Sequence, residues 1–466
     1  MNRSICHGSS FRDPSGFLFT RNETLYRQIN RSYCDNYDYL KSSGLLDTLQ
    51  SRNLLIPHEE VDMALAVTPD AYRIIKPEIV PFVSYPYEWC FSQLKDAALI
   101  TLEIFKESLQ HNMVLKDASA YNVQFIGRNP IFIDTLSFER YAEGRPWVGY
   151  RQFCQHFLAP LALMSYKDVR LNQLQRVHID GIPLDLASKL LPFSTSLNLG
   201  LFSHLYLHAW AQKRFSSNKA PQQQELSKQA IKGIDKRGLL AIIKSLRSTI
   251  NGLAWKKKGT EWAEYYTFHN YSAAAFENKK GSIKEFIRKI APRTVWDIGA
   301  NDGTFSRLAS EIGARVISFD IDPAAVEKNY QTCKKGSDNQ VLPLLLDFTN
   351  PSPAIGWANK ERQSITERGK ADAIMALALI HHLAIANNVP LREIAQLFST
   401  MGDWLIIEFV PKDDPQVQRL LSARLDIFHD YNESCFLRDF SGYYNLIDSK
   451  PIQGSGRKLF LLKTKQ

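Results

Sequence analysis

Residues 295–322 read VWDIGANDGTFSRLASEIGARVISFDID, and this stretch decides the fold of the half that holds it. A short apolar run, Val295, Trp296 and Ile298, carries Asp297 and opens into Gly299-Ala-Asn-Asp-Gly303. An amphipathic stretch follows at 305–312, then a second apolar run at 316–319 that ends on Asp320. Strand, glycine turn, helix, strand and acid make one βαβ unit with a nucleotide-type pocket at the strand tips. The two glycines let backbone approach a ligand where a Cβ would clash. Asp320 lies where a carboxylate can accept hydrogen bonds from ribose hydroxyls.

At 466 residues, the chain is long enough for two or three domains with substantial cores. Its 44% hydrophobic and 23% charged residues exclude a disordered or fibrous protein. No apolar run reaches the ~18 residues of a membrane span. The opening MNRSICHGSSFRDPSG lacks the apolar segment of a signal peptide. Six scattered cysteines without paired spacing fit reduced thiols in a cytoplasm, not a disulfide framework or a zinc site. The net charge of +9 is unevenly placed. Residues 213–258 hold twelve Lys and Arg against Glu225 and Asp235, and the rest of the chain is close to neutral. Such a strip can attract phosphate polymers or anionic lipid, or can be a solvated connector.

Taken in order, residues 1–212 read as an α+β domain. A hairpin is expected at 16–20 and 24–29, a helix at 38–50, strands at 72–80 and 81–85, and a helix at 93–109. A loop, LKDASAYN, leads into a strand, VQFI, a turn at Gly127-Arg-Asn-Pro130 and a second strand, IFID. Helices fill 150–212, broken at Asp180-Gly-Ile-Pro183 and Leu191-Pro192. Residues 213–258 form a basic, partly helical connector. From 259 to 466, strands at 294–298, 315–319, 341–346, 371–377 and 403–409 alternate with helices, and 443–464 closes as an antiparallel pair. This pattern predicts an α/β doubly wound sheet.

The glycines at 299 and 303 do not make a dinucleotide fingerprint, because Asn301 and Thr304 stand at its other glycine positions; no Gly-Lys-Ser/Thr follows for a P-loop. The stretch resembles motif I of class I S-adenosylmethionine-dependent methyltransferases, with Asn301 where many members have glycine. Asn tolerates left-handed dihedrals, so the turn survives. VISFDID is similar to the second-strand motif, LLLDF to the third, ADAIMALALIHHL to the fourth, and WLIIEFVPKDD to the fifth; the terminal pair resembles the family's hairpin. The resemblance implies a Rossmann-like fold over about 261–466 that binds S-adenosyl-L-methionine. Cofactor contacts would come from Asp297, Gly299, Asn301, Gly303, Asp320, Asp322, Asp347 and Phe348. His381 and His382 follow the fourth strand and are candidate catalytic groups, with Glu408 behind them. Trp262, Tyr265, Tyr266 and Tyr271 are candidates to lid the cofactor or stack on an acceptor, or else core. No Asn/Asp-Pro-Pro-Tyr/Phe clamp and no Pro-Cys pair is present, which argues against base-amine, glutamine-amide and cytosine-C5 acceptors.

In the first half, Asp117-Ala-Ser-Ala-Tyr-Asn122 followed by strand, turn and Ile133-Asp134 resembles the catalytic loop and metal-binding acid of the protein-kinase/aminoglycoside-phosphotransferase superfamily. The resemblance implies a kinase-like fold with Asp117 as base, Asn122 and Asp134 as magnesium ligands, ATP as nucleotide and 82–89 as hinge. The sequence departs from it at Lys116, at Leu115 where a His is expected, in a glycine-rich loop reduced to Gly16, and in lacking a Val-Ala-Ile-Lys strand; Arg27 or Lys76 could stand for the phosphate lysine. These departures point to uncertain or lost phosphotransfer.

The two-domain layout is similar to bacterial nodulation-type methyltransferases. That implies a cytoplasmic enzyme acting on a small molecule or a glycan or glycolipid precursor, with the first domain binding or modifying the acceptor. Two other readings stay open: a nucleic-acid or ribosome methyltransferase docking through 213–258, and a non-catalytic scaffold of two degenerate enzyme folds.

Overall fold

A computed structural model describes residues 5–210, 233–255, 272–336, 338–422 and 424–465. The chain divides into two compact units. Unit 1 comprises Met1–Lys256 with Ala354–Arg362, and unit 2 comprises Lys257–Pro353 with Gln363–Gln466.

In unit 1, β1 (Ile5–Cys6), β2 (Gly16–Arg21), β3 (Thr24–Asn30), β4 (His58–Val61) and β5 (Ala71–Pro77) form an antiparallel sheet ordered β1-β2-β3-β5-β4. Between β3 and β4 the expected single helix at 38–50 is two, Cys34–Ser42 and Leu45–Ser51. Gly44 between them has φ +76°, a left-handed value that ends one helix before the next starts. The strand expected at 81–85 does not form. Pro81 and Pro86 remove ladder donors, and the Ser84 N–H goes to Gln124 Oε1 at 2.9 Å, with the Trp89 indole on Ser84 Oγ. Helix Phe91–Gln110 follows, with Leu94, Ala97, Ala98, Leu102 and Phe105 on its buried face.

Beyond that helix, β6 (Met113–Leu115) pairs with β9 (Phe138–Arg140), and β7 (Val123–Ile126) with β8 (Asn129–Phe132). Short helical segments occupy 150–206, and helix Lys236–Gly252, inside the stretch read as a connector, buries Leu239, Ile243, Leu246 and Ile250. The excursion 354–362 adds an ion pair, Arg12 to Glu361 at 2.6 Å, and sets the Arg362 guanidinium 4.2 Å from the centre of the Tyr121 ring.

Unit 2 is a seven-stranded doubly wound sheet. Its strands are β10 (Thr294–Ile298), β11 (Arg315–Asp320), β12 (Val341–Leu345), β13 (Ala371–Ala376), β14 (Gly402–Phe409), β15 (Tyr444–Pro451) and β16 (Lys458–Thr464). They lie in the order β12-β11-β10-β13-β14-β16-β15. The first five are parallel, and β16 and β15 close the edge antiparallel. Every residue of β12 is buried, as in a parallel strand covered on both faces. The order reverses at β10, between β11 and β13, and a ligand crevice opens beyond the carboxyl ends of strands at such a switch point. Among the described residues no helix is long and apolar enough to cross a membrane.

Candidate active site

The β10–helix turn sets the site. Gly299 has φ +77°, Asn301 +51° and Gly303 +77°. Asn301 thus adopts the left-handed conformation that its short polar side chain tolerates. Gly303 is required twice over: a Cβ there would lie 2.3 Å and 2.5 Å from the Asn329 amide atoms. A cavity of about 310 Å³ opens over this turn, lined by Asp297, Gly299, Asn301, Asp320, Asp347, Phe348 and His382 among others. Gly303, Asp322 and His381 do not line it.

Asp320 ends β11 and folds back on the turn, its Oδ2 accepting the Asn301 N–H at 2.7 Å and its Oδ1 the Asp322 N–H at 2.8 Å. Burial pushes its carboxyl up to about 6, against the pull of these backbone donors. Asp297 is fully buried. Its Oδ2 accepts the Ser306 hydroxyl at 2.6 Å, and burial pushes it up to about 7. Asp347 Oδ1 takes both the N–H and hydroxyl of Thr349, at 2.8 Å and 2.6 Å. Phe348 stands edge-on to Phe319. Asp322 caps helix Pro323–Lys335, accepting the Ala324 N–H at 2.8 Å. It shapes the strand end from behind, outside the cavity wall.

His381 and His382 part company. His381 is wholly buried, neither ring nitrogen has a hydrogen-bond partner, and burial holds its pKa well below the ordinary value. His382 faces the cavity, 4.2 Å ring to ring from His381, and burial, helped by Arg457, pushes its pKa down to about 4. Both imidazoles are therefore neutral at pH 7.

A buried ion chain backs one wall; the fifth-strand motif holds its Glu408 and Asp414, while Lys279 and Arg457 fall outside every motif. Lys279 Nζ lies 2.5 Å from Glu408 Oε2, Arg457 Nη1 is 3.3 Å from Glu408 Oε1, and Arg457 Nε is 2.7 Å from Asp414 Oδ2. Burial lowers the Lys279 ammonium while Glu408 holds it up. Lys279 lines the cavity; Glu408 does not. Two signals were available: a glutamate inside the apolar run LIIEFV, and a lysine on the buried stripe of helix Ala273–Ile290. The aromatic residues Trp262, Tyr265, Tyr266 and Tyr271 lie outside the described residues, as does the basic sequence at 213–232 and 256–258.

In unit 1, Asp117, Asn122 and Asp134 come together. Asp134 is ion-paired with Arg27 Nη1 and accepts the Ser137 hydroxyl, and Asn122 Nδ2 donates to Ser137 Oγ at 3.3 Å. Burial would raise Asp134, but Arg27 outweighs it and holds the carboxyl below its usual range. Asp117 is raised, by burial and then by Asp134. Of the two alternatives for a phosphate-binding cation, Arg27 is the one at this cluster, while Lys76 pairs with Glu59 at 2.9 Å in solvent. Among the described residues no group of three or more His, Cys, Asp and Glu side chains could hold a metal ion.

Residues 261–439 match the family described as methyltransferase domain. Nodulation protein NoeA of Rhizobium meliloti (strain 1021) is 36% identical over 455 residues, 97% of this chain and 94% of that protein. Among solved structures, the N-methyltransferase NodS of Bradyrhizobium japonicum WM9 in complex with S-adenosyl-l-homocysteine aligns with 44% of this chain and 97% of its own, at 12% identity and a TM-score of 0.32. Magnesium protoporphyrin IX methyltransferase (ChlM) of Synechocystis PCC 6803 with bound SAH aligns with 44% of this chain and 93% of its own, at 14% identity and a TM-score of 0.31.

Proposed function

The chain belongs to the family of the nodulation protein NoeA and carries an S-adenosylmethionine-dependent methyltransferase domain, and from that premise we propose that it methylates a small molecule or a glycan or glycolipid precursor. The observation that carries the cofactor site is the pair of carboxylates at the strand tips, Asp297 and Asp320, pushed up to about 7 and 6. Carboxylates held this near neutrality in a cavity call for hydrogen-bond donors or positive charge from a ligand, and the cofactor offers ribose hydroxyls, an ammonium and a sulfonium. When bound, it supplies an electrophilic methyl group, and the reaction depends on in-line positioning of the acceptor.

The chain's own residues divide that work. Asp320, its carboxylate braced by two backbone donors, accepts the ribose hydroxyls, and Asp347 and Phe348 hold the adenine side of the pocket. Leu379, Leu383 and Leu420 give the cavity apolar walls that exclude water. His382, which faces the cavity and is neutral at pH 7, accepts a hydrogen bond from the acceptor and so aims it; His381 fixes the ring from behind. The direct test incubates cell extract with methyl-labelled cofactor and the full chain, then separates small-molecule, lipid, protein and nucleic-acid fractions. Label in the small-molecule or lipid-glycan fraction is the expected result, and label confined to nucleic acid would replace this reading with docking through the basic stretch.

Unit 1 we read as a kinase-like acceptor-binding domain without phosphotransfer. Magnesium does not fit its Asp117–Asn122–Asp134 cluster, because the Arg27 guanidinium already neutralises Asp134, and no phosphotransfer is assigned to it. Calorimetry of the full chain with ATP and magnesium should give no heat of binding; magnesium-dependent binding that Asp134→Ala abolishes would sink the idea.

A further inference from the structure

The segment from Leu377 to Pro390 carries His382 to the cavity, and its own sequence does not explain its backbone. Ala378 has φ +50° and Asn388 +56°, and an alanine takes such a left-handed value only under constraint. His381 is buried with no hydrogen-bond partner on either ring nitrogen. His382–Ala386 is a single π-helical turn: the His382 carbonyl accepts the Asn387 N–H, five residues on, at 3.2 Å and Asn387 Nδ2 at 2.9 Å.

The end of that turn leaves two carbonyls without donors from the segment itself. In a continuing α-helix the Ile385 carbonyl would take the Val389 N–H, and the Ala386 carbonyl the N–H of residue 390. Val389 instead donates to Leu383 O at 3.0 Å, and residue 390 is a proline, which has no N–H. One side chain from another element fills both places: Arg424 Nη1 lies 2.6 Å from Ile385 O and 3.3 Å from Ala386 O. Arg424 follows helix Pro415–Leu421, and its own N–H bonds Leu421 O at 3.1 Å. Leu420 of that helix lines the same cavity as His382, Leu383, Ala386 and Asn387.

We infer that Arg424 is a positioning residue: by bonding the carbonyls of Ile385 and Ala386 it holds the π-turn in the register that presents His382 to the acceptor, and this rests on the reading of His382 as the group that aims the acceptor. Without the guanidinium both carbonyls turn to water, the turn relaxes, and the His382 ring leaves its place. In-line transfer is sensitive to such a shift, since a misplacement of about 1 Å can cost about a hundredfold in rate. Arg424 itself is exposed, so its replacement leaves the fold intact.

The test follows transfer of labelled methyl from saturating cofactor to cell extract by the full chain. Arg424→Ala should slow transfer by about tenfold or more, with cofactor affinity and melting temperature unchanged. Arg424→Lys, which keeps a donor but loses the planar fork, should recover part of the rate. In a His382→Ala background, Arg424→Ala should slow transfer no further, because effects that pass through one group do not add. Amide exchange over 383–389, followed by mass spectrometry, should quicken in Arg424→Ala. Three outcomes overturn the inference: transfer by Arg424→Ala at the wild-type rate, a loss of cofactor affinity that matches the loss of rate, or the same slowing whether or not His382 is present. If wild type itself labels no fraction of the extract, the acceptor reading falls and this inference with it. A clamp that fails while wild type transfers methyl leaves the methyltransferase reading standing.

Discussion

At the scale of single residues, Asp297 and Asp320 make different predictions. Asp320→Ala removes a carboxylate placed to accept charge-assisted hydrogen bonds, so cofactor binding measured by calorimetry should weaken by about 1.5–3 kcal/mol. Unchanged affinity would mean the ribose lies elsewhere. Asp297, pushed up to about 7 by burial, is partly protonated at neutral pH before a ligand binds. A cationic ligand favours the carboxylate, so affinity should rise as pH rises through about 7 and then level off. Asp297→Asn should flatten that profile; a wild-type profile already flat between mildly acidic and mildly basic pH would count against the assignment. Replacing both His381 and His382 by Ala should lower turnover in a methyl-transfer assay and leave cofactor affinity alone, and full turnover would remove their role. Most of this site could be read from sequence because its residues fall on a linear order of strand tips and the turns after them. The difference between the two adjacent histidines could not, since only the packing decides which ring turns toward the cavity and which is buried behind it.

The strands of unit 2 illustrate what periodicity resolves at the scale of elements. Each of the five parallel strands begins and ends within one residue of its expected bounds, because continuous apolar runs between turn residues leave little choice. The break at Gly44 and the missing strand at 81–85 depended on backbone chemistry that an apolar pattern does not carry. The ion chain was harder still, with Lys279 and Glu408 129 positions apart in sequence and Glu408 and Arg457 49 positions apart. Its energetics are testable on β14. Glu408→Ala leaves Lys279 and part of Arg457 as uncompensated buried charge and should destabilise unit 2 by about 3–5 kcal/mol. Glu408→Leu combined with Lys279→Met removes both charges of the closer pair and should recover much of that loss in a denaturant titration. If the double variant is no more stable than Glu408→Ala, the chain is held by more than its charge balance.

For the whole molecule, acid should act on the two units unequally. In unit 1 burial lowers five imidazoles: His7, His58 to about 4, His156 to about 3, His204 to about 4, and His208. A group with a lowered folded pKa contributes stability above its unfolded pKa, here about 6.5, and loses it as pH falls toward the folded value. Among the described carboxyl groups of unit 1 only Asp117 is raised, and it works the other way. In unit 2, His381 and His382 are lowered, but Asp297 and Asp320 are raised to about 7 and 6. A raised carboxylate favours the folded state below its unfolded pKa and loses that advantage as pH rises through the folded value, so acidification strengthens these two as it weakens the histidines. Between pH about 6.5 and about 4.5 the unfolded form of unit 1 therefore binds several more protons than the folded form, while in unit 2 the two effects oppose each other. Carboxylates lowered by ion pairs, such as Glu60 and Glu103, release their stabilisation only below this window. Scanning calorimetry of the full chain should accordingly resolve two transitions that separate as pH is lowered. The one that falls belongs to unit 1, and S-adenosylmethionine should raise the other, because a ligand stabilises only the folded form that binds it. Transitions that move together with acid, or a cofactor shift on the acid-labile one, would show that the buried histidines of unit 1 do not govern its stability or that the cavity above Gly299 is not the cofactor site.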